Sequence, residues 1–301
     1  MSKVLTLRYL EADMIPVIDF QSESVLEEIR EAYTTVGFAV FINALPQTDQ
    51  EIMNNWFEDM KEFFTLDLDV KKKYSYDAET NLGYSVLGAE NVDPTAPKDL
   101  KESFNYNNTR MDQSMWPKEI YGFKVSALNS VRIADQLTIK ILEKFDKILN
   151  CGTTLVDAHA KPYNTTRVIH YPAYTGPIKD KQQRIGKHSD YGTITLLWQI
   201  NDVPGLEVQD LNGDWHPVPY EKEGVVVNIG DLLQRWTNDY FVSTKHRVVN
   251  SHIHLPRYSM PHFVDPTPGT IVSNLTNTPS KYEPIESLEY LNWRLAQSYE
   301  T

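Results

Sequence analysis

The sequence predicts a mainly β protein with flanking helices, in which a helical N-terminal region leads into a β core. Apolar residues recur at helical spacing before Asn150, whereas short β-branched runs separated by Gly, Pro, Asn and Asp follow it. This second pattern is typical of an antiparallel sandwich or barrel whose mouth can hold a small ligand. No strand-like run is followed by a Gly-x-Gly-x-x-Gly turn and a helix, which disfavours a Rossmann fold.

The N-terminal region begins with an extended segment and a helix. Residues 15–20 read Ile-Pro-Val-Ile-Asp-Phe, a short run that favours an extended conformation. An apolar period through Val25, Ile29 and Tyr33 then predicts a helix, and Gly37 is expected to end it. These residues therefore predict a strand followed by a first helix.

The rest of the N-terminal region is predicted to add one strand and two longer helices. Phe38–Ile42 is a continuous apolar run of strand length. A second helix is expected from about Asp49 to Phe64, and the clearest helix from about Val125 to Leu149, because apolar residues recur there at three- and four-residue steps. The residues predicted to face inward on the second helix are Ile52, Trp56, Met60, Phe63 and Phe64.

The β core is predicted to contain seven strands with turns between them, and no linker separates it from the preceding helices. We therefore expect one continuous domain, with residues 1–150 forming a helical or mixed region packed on the core and residues 151–301 forming the core and a C-terminal helix. The predicted strands are Arg167–Tyr171, Ile194–Trp198, Leu206–Gln209, Val225–Ile229, His246–Val249, Tyr258–Val264 and Thr270–Ser273.

Composition narrows the classes of partner and of metal site. The 301 residues include 29 Lys and Arg against 41 Asp and Glu, a net charge of −12 that repels nucleic acids and anionic membrane surfaces. Met1–Leu10 lacks an apolar targeting segment and no run is apolar enough to span a bilayer, so we expect a soluble cytoplasmic protein. With Cys151 as its single cysteine the chain cannot form iron–sulfur or structural zinc sites, so any metal must be held by nitrogen and oxygen.

The best candidate for such a metal site combines two histidines with one aspartate. His188 and Asp190 lie two residues apart, and on an extended chain such residues project from the same face. His246 supplies a second imidazole where a predicted strand begins. Two imidazoles and one carboxylate on one side of an ion leave three positions open, which is the arrangement that suits non-haem ferrous oxygenases.

A possible carboxylate-binding pair follows downstream. Arg257 and Ser259 are again two residues apart, so a guanidinium and a hydroxyl are expected to point the same way and to bind an organic acid. The alternative for Arg257 is an ordinary surface ion pair. The pair His252 and His254 lacks a nearby acid at matching spacing and precedes a proline, so we predict a loop there.

Taken together, these motifs resemble the iron(II)- and 2-oxoglutarate-dependent dioxygenases of the isopenicillin N synthase-like family. The resemblance covers about residues 15 to 266. The segments that carry it are 15–20, 37–38, 63–64, 83–84, 101–104, 167–172, 188–197, 204–208, 213–215, 227–231, 236–238, 243–249 and 257–259.

The resemblance implies a fold, a set of cofactors and a role for each motif. The fold is a double-stranded β-helix, a distorted jelly roll, and the cofactors are Fe(II) with 2-oxoglutarate and O2 as cosubstrates. By position, the implied iron ligands and catalytic residues are His188, Asp190 and His246. The residues implied to bind 2-oxoglutarate are Arg257, Ser259 and Tyr171, and those suggested for the substrate pocket are Phe104 and Phe263.

The activity implied is oxidative decarboxylation of 2-oxoglutarate coupled to hydroxylation or desaturation of a small organic molecule. We expect the protein to be a monomer. Several alternatives stay open at this point. They are an isopenicillin N synthase-like oxidase that does not use 2-oxoglutarate, ring closure or ethylene-forming chemistry, and a binding module without catalysis. A zinc hydrolase is disfavoured, because no general base accompanies the ligands and the carboxylate-binding pair would be unexplained.

Overall fold

The computed structural model describes residues 14–93, 95–161 and 163–299, so the segment Met1–Leu10 lies outside the described residues. It confirms a mainly β fold with flanking helices. In chain order the strands are β1 (Val17–Asp19), β2 (Phe38–Ile42), β3 (Gly83–Ser85), β4 (Glu102–Tyr106), β5 (Thr165–Tyr171), β6 (Ile185–His188), β7 (Ile194–Gln199), β8 (Leu206–Gln209), β9 (Trp215–Pro217), β10 (Val225–Ile229), β11 (His246–Val248), β12 (Arg257–Val264), β13 (Ile271–Val272) and β14 (Ile285–Glu286). The helices are α1 (Val25–Thr35), α2 (Gln47–Thr65), α3 (Leu68–Lys71), α4 (Phe123–Leu149), α5 (Thr154–Ala158), α6 (Asp231–Trp236) and α7 (Ser287–Tyr299).

Two sheets form the body of the described structure. The larger has eight strands in the order β1-β2-β10-β7-β12-β5-β4-β3, and the smaller has four in the order β6-β11-β8-β9. One hydrophobic cluster contains residues of both sheets, among them Phe38 and Ile169 of the larger and Ile185 and Val248 of the smaller. The sheets therefore pack face to face, as in a jelly roll, and leave a cavity between them.

Helices α2 and α4 cover the outer face of the larger sheet. Their apolar sides merge with the sheet into one core, where Trp56 and Phe63 of α2 contact Phe123 of α4 edge-on or tilted. Both helices were predicted from periodicity, and each extends one or two residues beyond the predicted bounds. Ile52, expected to face inward on α2, is only partly buried at the edge of this core.

The structure contains strands that the sequence pattern did not predict. Strand β4 reads Glu-Ser-Phe-Asn-Tyr and is buried along its whole length, because its polar side chains find partners within the protein. Strands β1 to β4 all precede Asn150, so the N-terminal region supplies half of the larger sheet as well as helices. The run predicted at Thr270–Ser273 forms β13, which pairs with β14 outside the two main sheets. The domain boundary at residue 150 stays a prediction.

No helix within the described ranges is both long enough and apolar enough to cross a membrane.

Position 37, between α1 and β2, requires glycine for two reasons, its backbone conformation and the lack of space for a Cβ. Its φ is 74°, and a Cβ there would overlap the backbone carbonyl oxygen of Val242. Gly152 has the same φ of 74° but open space around it. We expect Gly152→Ala to cost about 1 to 2 kcal/mol of unfolding free energy from backbone strain alone, and Gly37→Ala to cost more. Urea denaturation checks this, and equal losses in the two variants would contradict it.

Candidate active site

The three predicted metal ligands lie together at one edge of the smaller sheet. His188 ends β6 and His246 begins β11, and the two residues are directly paired across these antiparallel strands. Asp190 follows β6 in a loop, with its Oδ1 3.8 Å from Nε2 of His188 and 3.7 Å from Nε2 of His246. Among the described residues, these three form the group whose ligand atoms all lie within 4.8 Å of one another.

Hydrogen bonds orient each of these groups toward a common point. Nδ1 of His188 faces the carbonyl of Gly186 at 2.9 Å, and Nδ1 of His246 faces that of Thr244 at 3.1 Å. Because a carbonyl only accepts, each neutral ring carries its proton on Nδ1 and presents the Nε2 lone pair. On Asp190, Thr195 and Asn228 donate to Oδ2 at 2.6 and 2.8 Å, which leaves Oδ1 facing the two Nε2 atoms. The site is therefore preorganised for a cation.

The pKa shifts agree with this arrangement. Burial, with His246 adding a second imidazole alongside, lowers the pKa of His188 to about 4, so this ring is neutral near pH 7. Burial alone would raise the pKa of Asp190, but the two histidines and its hydrogen bonds outweigh it and lower the pKa below its usual value. The site thus offers a neutral imidazole and an ionised carboxylate, the states in which these groups bind metal.

The predicted carboxylate-binding pair, Arg257 and Ser259, lies on strand β12 of the larger sheet, which pairs with β5. Arg257 is 1% exposed, and its register partner on β5 is Tyr171. The guanidinium donates to the carbonyl of Val203 and the side-chain oxygen of Gln199, while its Nη1 has no partner among the described residues. No described carboxylate lies within 4.0 Å of it, so the surface ion pair considered for Arg257 is wrong. Ser259 lies beside it, with its Oγ 3.5 Å from the hydroxyl of Tyr171.

Both sets of residues line one cavity of about 290 Å³ between the sheets. Its wall follows the alternation of side chains along two paired strands, so every second residue faces inward. On β12 these are Arg257, Ser259, Pro261 and Phe263, and on β5 they are Thr165, Arg167, Ile169 and Tyr171. The size falls near the lower end of the range for small-molecule sites.

The two suggested substrate residues have different positions. Phe263 lines the cavity, whereas Phe104 is fully buried in the core against Phe63 and Phe123. Alternation along β4 explains this correction, because Phe104 faces the helices while Ser103 faces the other side and bonds to Glu90 of the cavity wall. Phe104 therefore does not line this cavity.

His252 and His254 lie in a turn, which confirms the predicted loop. Thr195 and Asn228, which hold Asp190, were not predicted. Each interrupts an apolar strand with a polar residue, in Ile-Thr-Leu and Val-Asn-Ile respectively, and this interruption was the available signal.

His159 supports the strand that follows the metal-binding loop. Its Nδ1 faces the carbonyl of Leu155 at 2.6 Å and its Nε2 lies 2.9 Å from the hydroxyl of Thr193. Burial lowers its pKa to about 4, well below the ordinary value near 6.5, so the unfolded chain takes up the proton first as the pH falls. Stability is therefore lost as the pH falls from about 6.5 toward 4.

We expect the lowered pKa of His159 to reduce the unfolding free energy by about 2 kcal/mol as the pH falls from 7 to 5. Urea denaturation with a chelator present should show a shallower pH dependence for His159→Gln than for the parent protein. The exposed His254→Gln is the matched control and should keep the parent slope. A parent-like slope in His159→Gln would contradict the assignment.

Comparison with known proteins gives a consistent result over nearly the whole chain. The family model for the 2OG-Fe(II) oxygenase superfamily matches residues 163–266, and a model described as non-haem dioxygenase in morphine synthesis N-terminal matches residues 15–123. Proline hydroxylase buaE of Petromyces alliaceus is 30% identical over 332 aligned positions, covering 96% of this chain and 100% of that protein.

Solved structures agree with these matches. A full-length Neurospora crassa protein crystallised in complex with alpha-KG is 31% identical, with a TM-score of 0.83 over 94% of this chain and 96% of that one. The complex of the same protein with alpha-KG and thymine is also 31% identical, with a TM-score of 0.83 over 95% and 97% of the two chains. The chain therefore belongs to the 2OG-Fe(II) oxygenase superfamily and is an iron(II)- and 2-oxoglutarate-dependent oxygenase with a jelly-roll core.

Proposed function

We propose that His188, Asp190 and His246 hold the ferrous ion of this oxygenase and that Arg257, Ser259 and Tyr171 hold the 5-carboxylate of 2-oxoglutarate. The observation that carries the proposal is that three converging ligand atoms share one cavity with a buried guanidinium that has no described carboxylate within 4.0 Å. The proposed substrate is a small organic molecule that becomes hydroxylated or desaturated.

The donor set fits iron(II). Two imidazole nitrogens and one carboxylate oxygen match the ligands that non-haem iron oxygenases use, and they leave coordination positions open for a cosubstrate. The Nδ1 and Oδ2 hydrogen bonds already satisfy the atoms that face away from the ion. The ligand atoms can therefore bind the cation without rearranging their neighbours.

The pocket at Arg257 fits a carboxylate. Burying a guanidinium without a partner is costly, and burial accordingly lowers the pKa of Arg257. A bound carboxylate would satisfy Nη1, and the hydroxyls of Ser259 and Tyr171 are placed to donate to the same anion. The three residues together therefore fit the distal end of a diacid.

When bound, the ferrous ion with 2-oxoglutarate and O2 supplies an oxidant for an unactivated C–H bond, and 2-oxoglutarate leaves as succinate and carbon dioxide. The protein's own residues orient the reactants and exclude water. Arg257 fixes the far end of the diacid, and apolar side chains including Ile169, Ile185 and Val248 enclose the space around it.

Substrate-dependent release of succinate tests this proposal. We expect the iron-loaded protein to convert 2-oxoglutarate to succinate and to do so faster with its substrate than without it. Removal of iron by a chelator should abolish the conversion, and Fe(II) should restore it. Substrate oxidation that proceeds fully without 2-oxoglutarate would favour the isopenicillin N synthase-like alternative, and product analysis separates hydroxylation from desaturation, ring closure and ethylene formation.

The proposal also covers the class of partner, the cellular location and the oligomeric state. The net charge of −12 supports a small molecule, rather than nucleic acid or a membrane, as the partner. We also propose a cytoplasmic monomer, which light scattering coupled to gel filtration tests for oligomeric state.

A further inference from the structure

Most charged groups in the wall of the cavity already have a counterpart. Glu90 accepts from Lys101 at 2.5 Å and from Arg167 at 2.8 Å, and Ser103 donates to its other oxygen at 3.0 Å. The metal site uses Asp190, and the proposed diacid pocket uses Arg257. Apart from Glu79, which lies exposed at the rim, Arg110 and Asp265 are the charged residues of the described wall that these assignments leave out.

Arg110 carries a cation that forms no ion pair with a described carboxylate. Its terminal nitrogens donate to neutral oxygens, the carbonyls of Thr80 and Asn164 and the hydroxyl of Thr165, and its guanidinium lies 4.0 Å from the ring centre of Tyr163. Its Nε has no partner among the described residues, the same signature as Nη1 of Arg257. The contacts hold the guanidinium in place while leaving its charge available to an anion.

Asp265 supplies an acidic group that no described cation pairs with. It is 8% exposed, and no described cation lies within 4.0 Å of its carboxylate. Its backbone N–H, rather than its side chain, donates to Oδ1 of Asn164 at 3.0 Å. Burial raises its pKa to about 7, Arg110 lowers it and Asp190 adds to the rise. Its Oδ1 packs against Gly192, two residues beyond Asp190, so the carboxylate lies close to the metal-binding loop.

These two groups lie at the end of the cavity opposite Arg257. Arg110 bonds to Thr165, which pairs with Phe263, whereas Arg257 pairs with Tyr171 at the other end of the same two strands. Six residue steps separate Arg257 from Phe263, which corresponds to roughly 20 Å along the strand. Arg110 and Asp265 therefore lie toward the opposite end of these paired strands from Arg257, in the part of the cavity that the proposed 5-carboxylate pocket leaves for the substrate.

From this placement we propose that the substrate is a small amino acid, with Arg110 binding its carboxylate and Asp265 binding its ammonium group. This inference rests on the proposed function, because it assigns the other end of the cavity to 2-oxoglutarate. A zwitterion is the chemical class that satisfies a cation and an anion held in one pocket but not bonded to each other. The position of Asp265 beside Gly192 would bring the carbon atoms of the bound molecule near the proposed iron ligands.

A screen of amino acids with the iron- and 2-oxoglutarate-loaded protein tests the substrate class. Succinate release is measured with each proteinogenic L-amino acid, and for each active one with its N-acetyl derivative and its amide. We expect at least one amino acid to raise succinate release, and both derivatives to lose most of the effect, since each removes one of the two charges. Iron-dependent turnover of 2-oxoglutarate that no amino acid accelerates would overturn this inference alone. Absence of any iron-dependent turnover would instead overturn the proposed function.

Two variants test the two residues. For the active amino acid we expect Arg110→Gln and Asp265→Asn each to raise KM by about 10- to 100-fold, the effect of losing a hydrogen bond to a charged group, with the KM for 2-oxoglutarate unchanged. Anaerobic calorimetry should show the same loss in the Kd of the amino acid, a readout independent of turnover. The exposed Arg132→Gln and Asp214→Asn are matched controls and should behave as the parent protein. Unchanged amino-acid affinity in both test variants would overturn the assignment, as would a loss confined to 2-oxoglutarate.

Discussion

Replacement of His188, Asp190 or His246 by alanine is expected to abolish turnover by removing iron. Each variant deletes one of three donors, and the remaining two cannot keep a labile ferrous ion in place at micromolar concentrations. Loss of a residue that only orients a ligand costs about 10- to 100-fold in metal affinity, so loss of a ligand should cost more than about 100-fold. Iron bound per chain after anaerobic gel filtration measures the effect, with succinate release as the second readout.

Iron affinity in variants of residues around the site distinguishes a metal site from a purely structural cluster of side chains. Asn228→Leu removes the hydrogen bond to Oδ2 of Asp190 and should fall within the smaller range of about 10- to 100-fold in iron affinity. The exposed His254→Ala is the matched histidine control and should bind iron as the parent protein does. If a His188, Asp190 or His246 variant folds normally by circular dichroism and keeps its iron, the assignment of that ligand is contradicted.

Arg257→Ala is expected to weaken the binding of 2-oxoglutarate by an amount equivalent to about 2 to 5 kcal/mol, while iron binding is retained. The guanidinium is buried and lacks a described carboxylate partner. Without it the cosubstrate would lose a charge-assisted contact, and water cannot easily take the place of that contact in a buried pocket. The Kd for 2-oxoglutarate under anaerobic conditions measures this effect directly.

A nearby arginine supplies the control for Arg257. Arg247 is paired with Glu207 on the adjacent strand and stacks on Trp215, so its charge is already compensated away from the cavity. Arg247→Ala is expected to lower the stability of the fold but to leave the Kd for 2-oxoglutarate unchanged. Equal cosubstrate affinity in Arg257→Ala and the parent protein would remove the main reason for placing the 5-carboxylate here.

Local sequence patterns predicted the site better than they predicted the sheets. The i, i+2 spacing in His188 and Asp190 predicted that these side chains converge, and they do, although Asp190 lies in a loop just beyond β6. The same rule placed Arg257 and Ser259 on one face of β12, and both line the cavity. These predictions depend on backbone geometry over two residues, which a short motif determines.

Features that depend on distant partners were not predictable in this way. Strand β4 is buried although it carries Glu102, because Lys71, Tyr84 and His170 form hydrogen bonds with that carboxylate. These partners come together only in the folded protein. Phe104 was suggested for the substrate pocket but packs against Phe63 and Phe123, because it lies on the face of β4 that meets the helices and this strand was not predicted. The opposed charges of Arg110 and Asp265 likewise become apparent only when residues more than a hundred positions apart line one cavity.

The most direct test of the account is an anaerobic absorption titration of the Fe(II)-loaded protein with 2-oxoglutarate. If the three ligands hold iron in the same cavity where Arg257 binds the diacid, a visible charge-transfer band should appear and saturate at one equivalent per chain. The band should be absent in Asp190→Ala, which lacks iron, and in Arg257→Ala should require much higher 2-oxoglutarate concentrations. An iron-loaded parent protein that shows no such band at saturating 2-oxoglutarate would contradict the account.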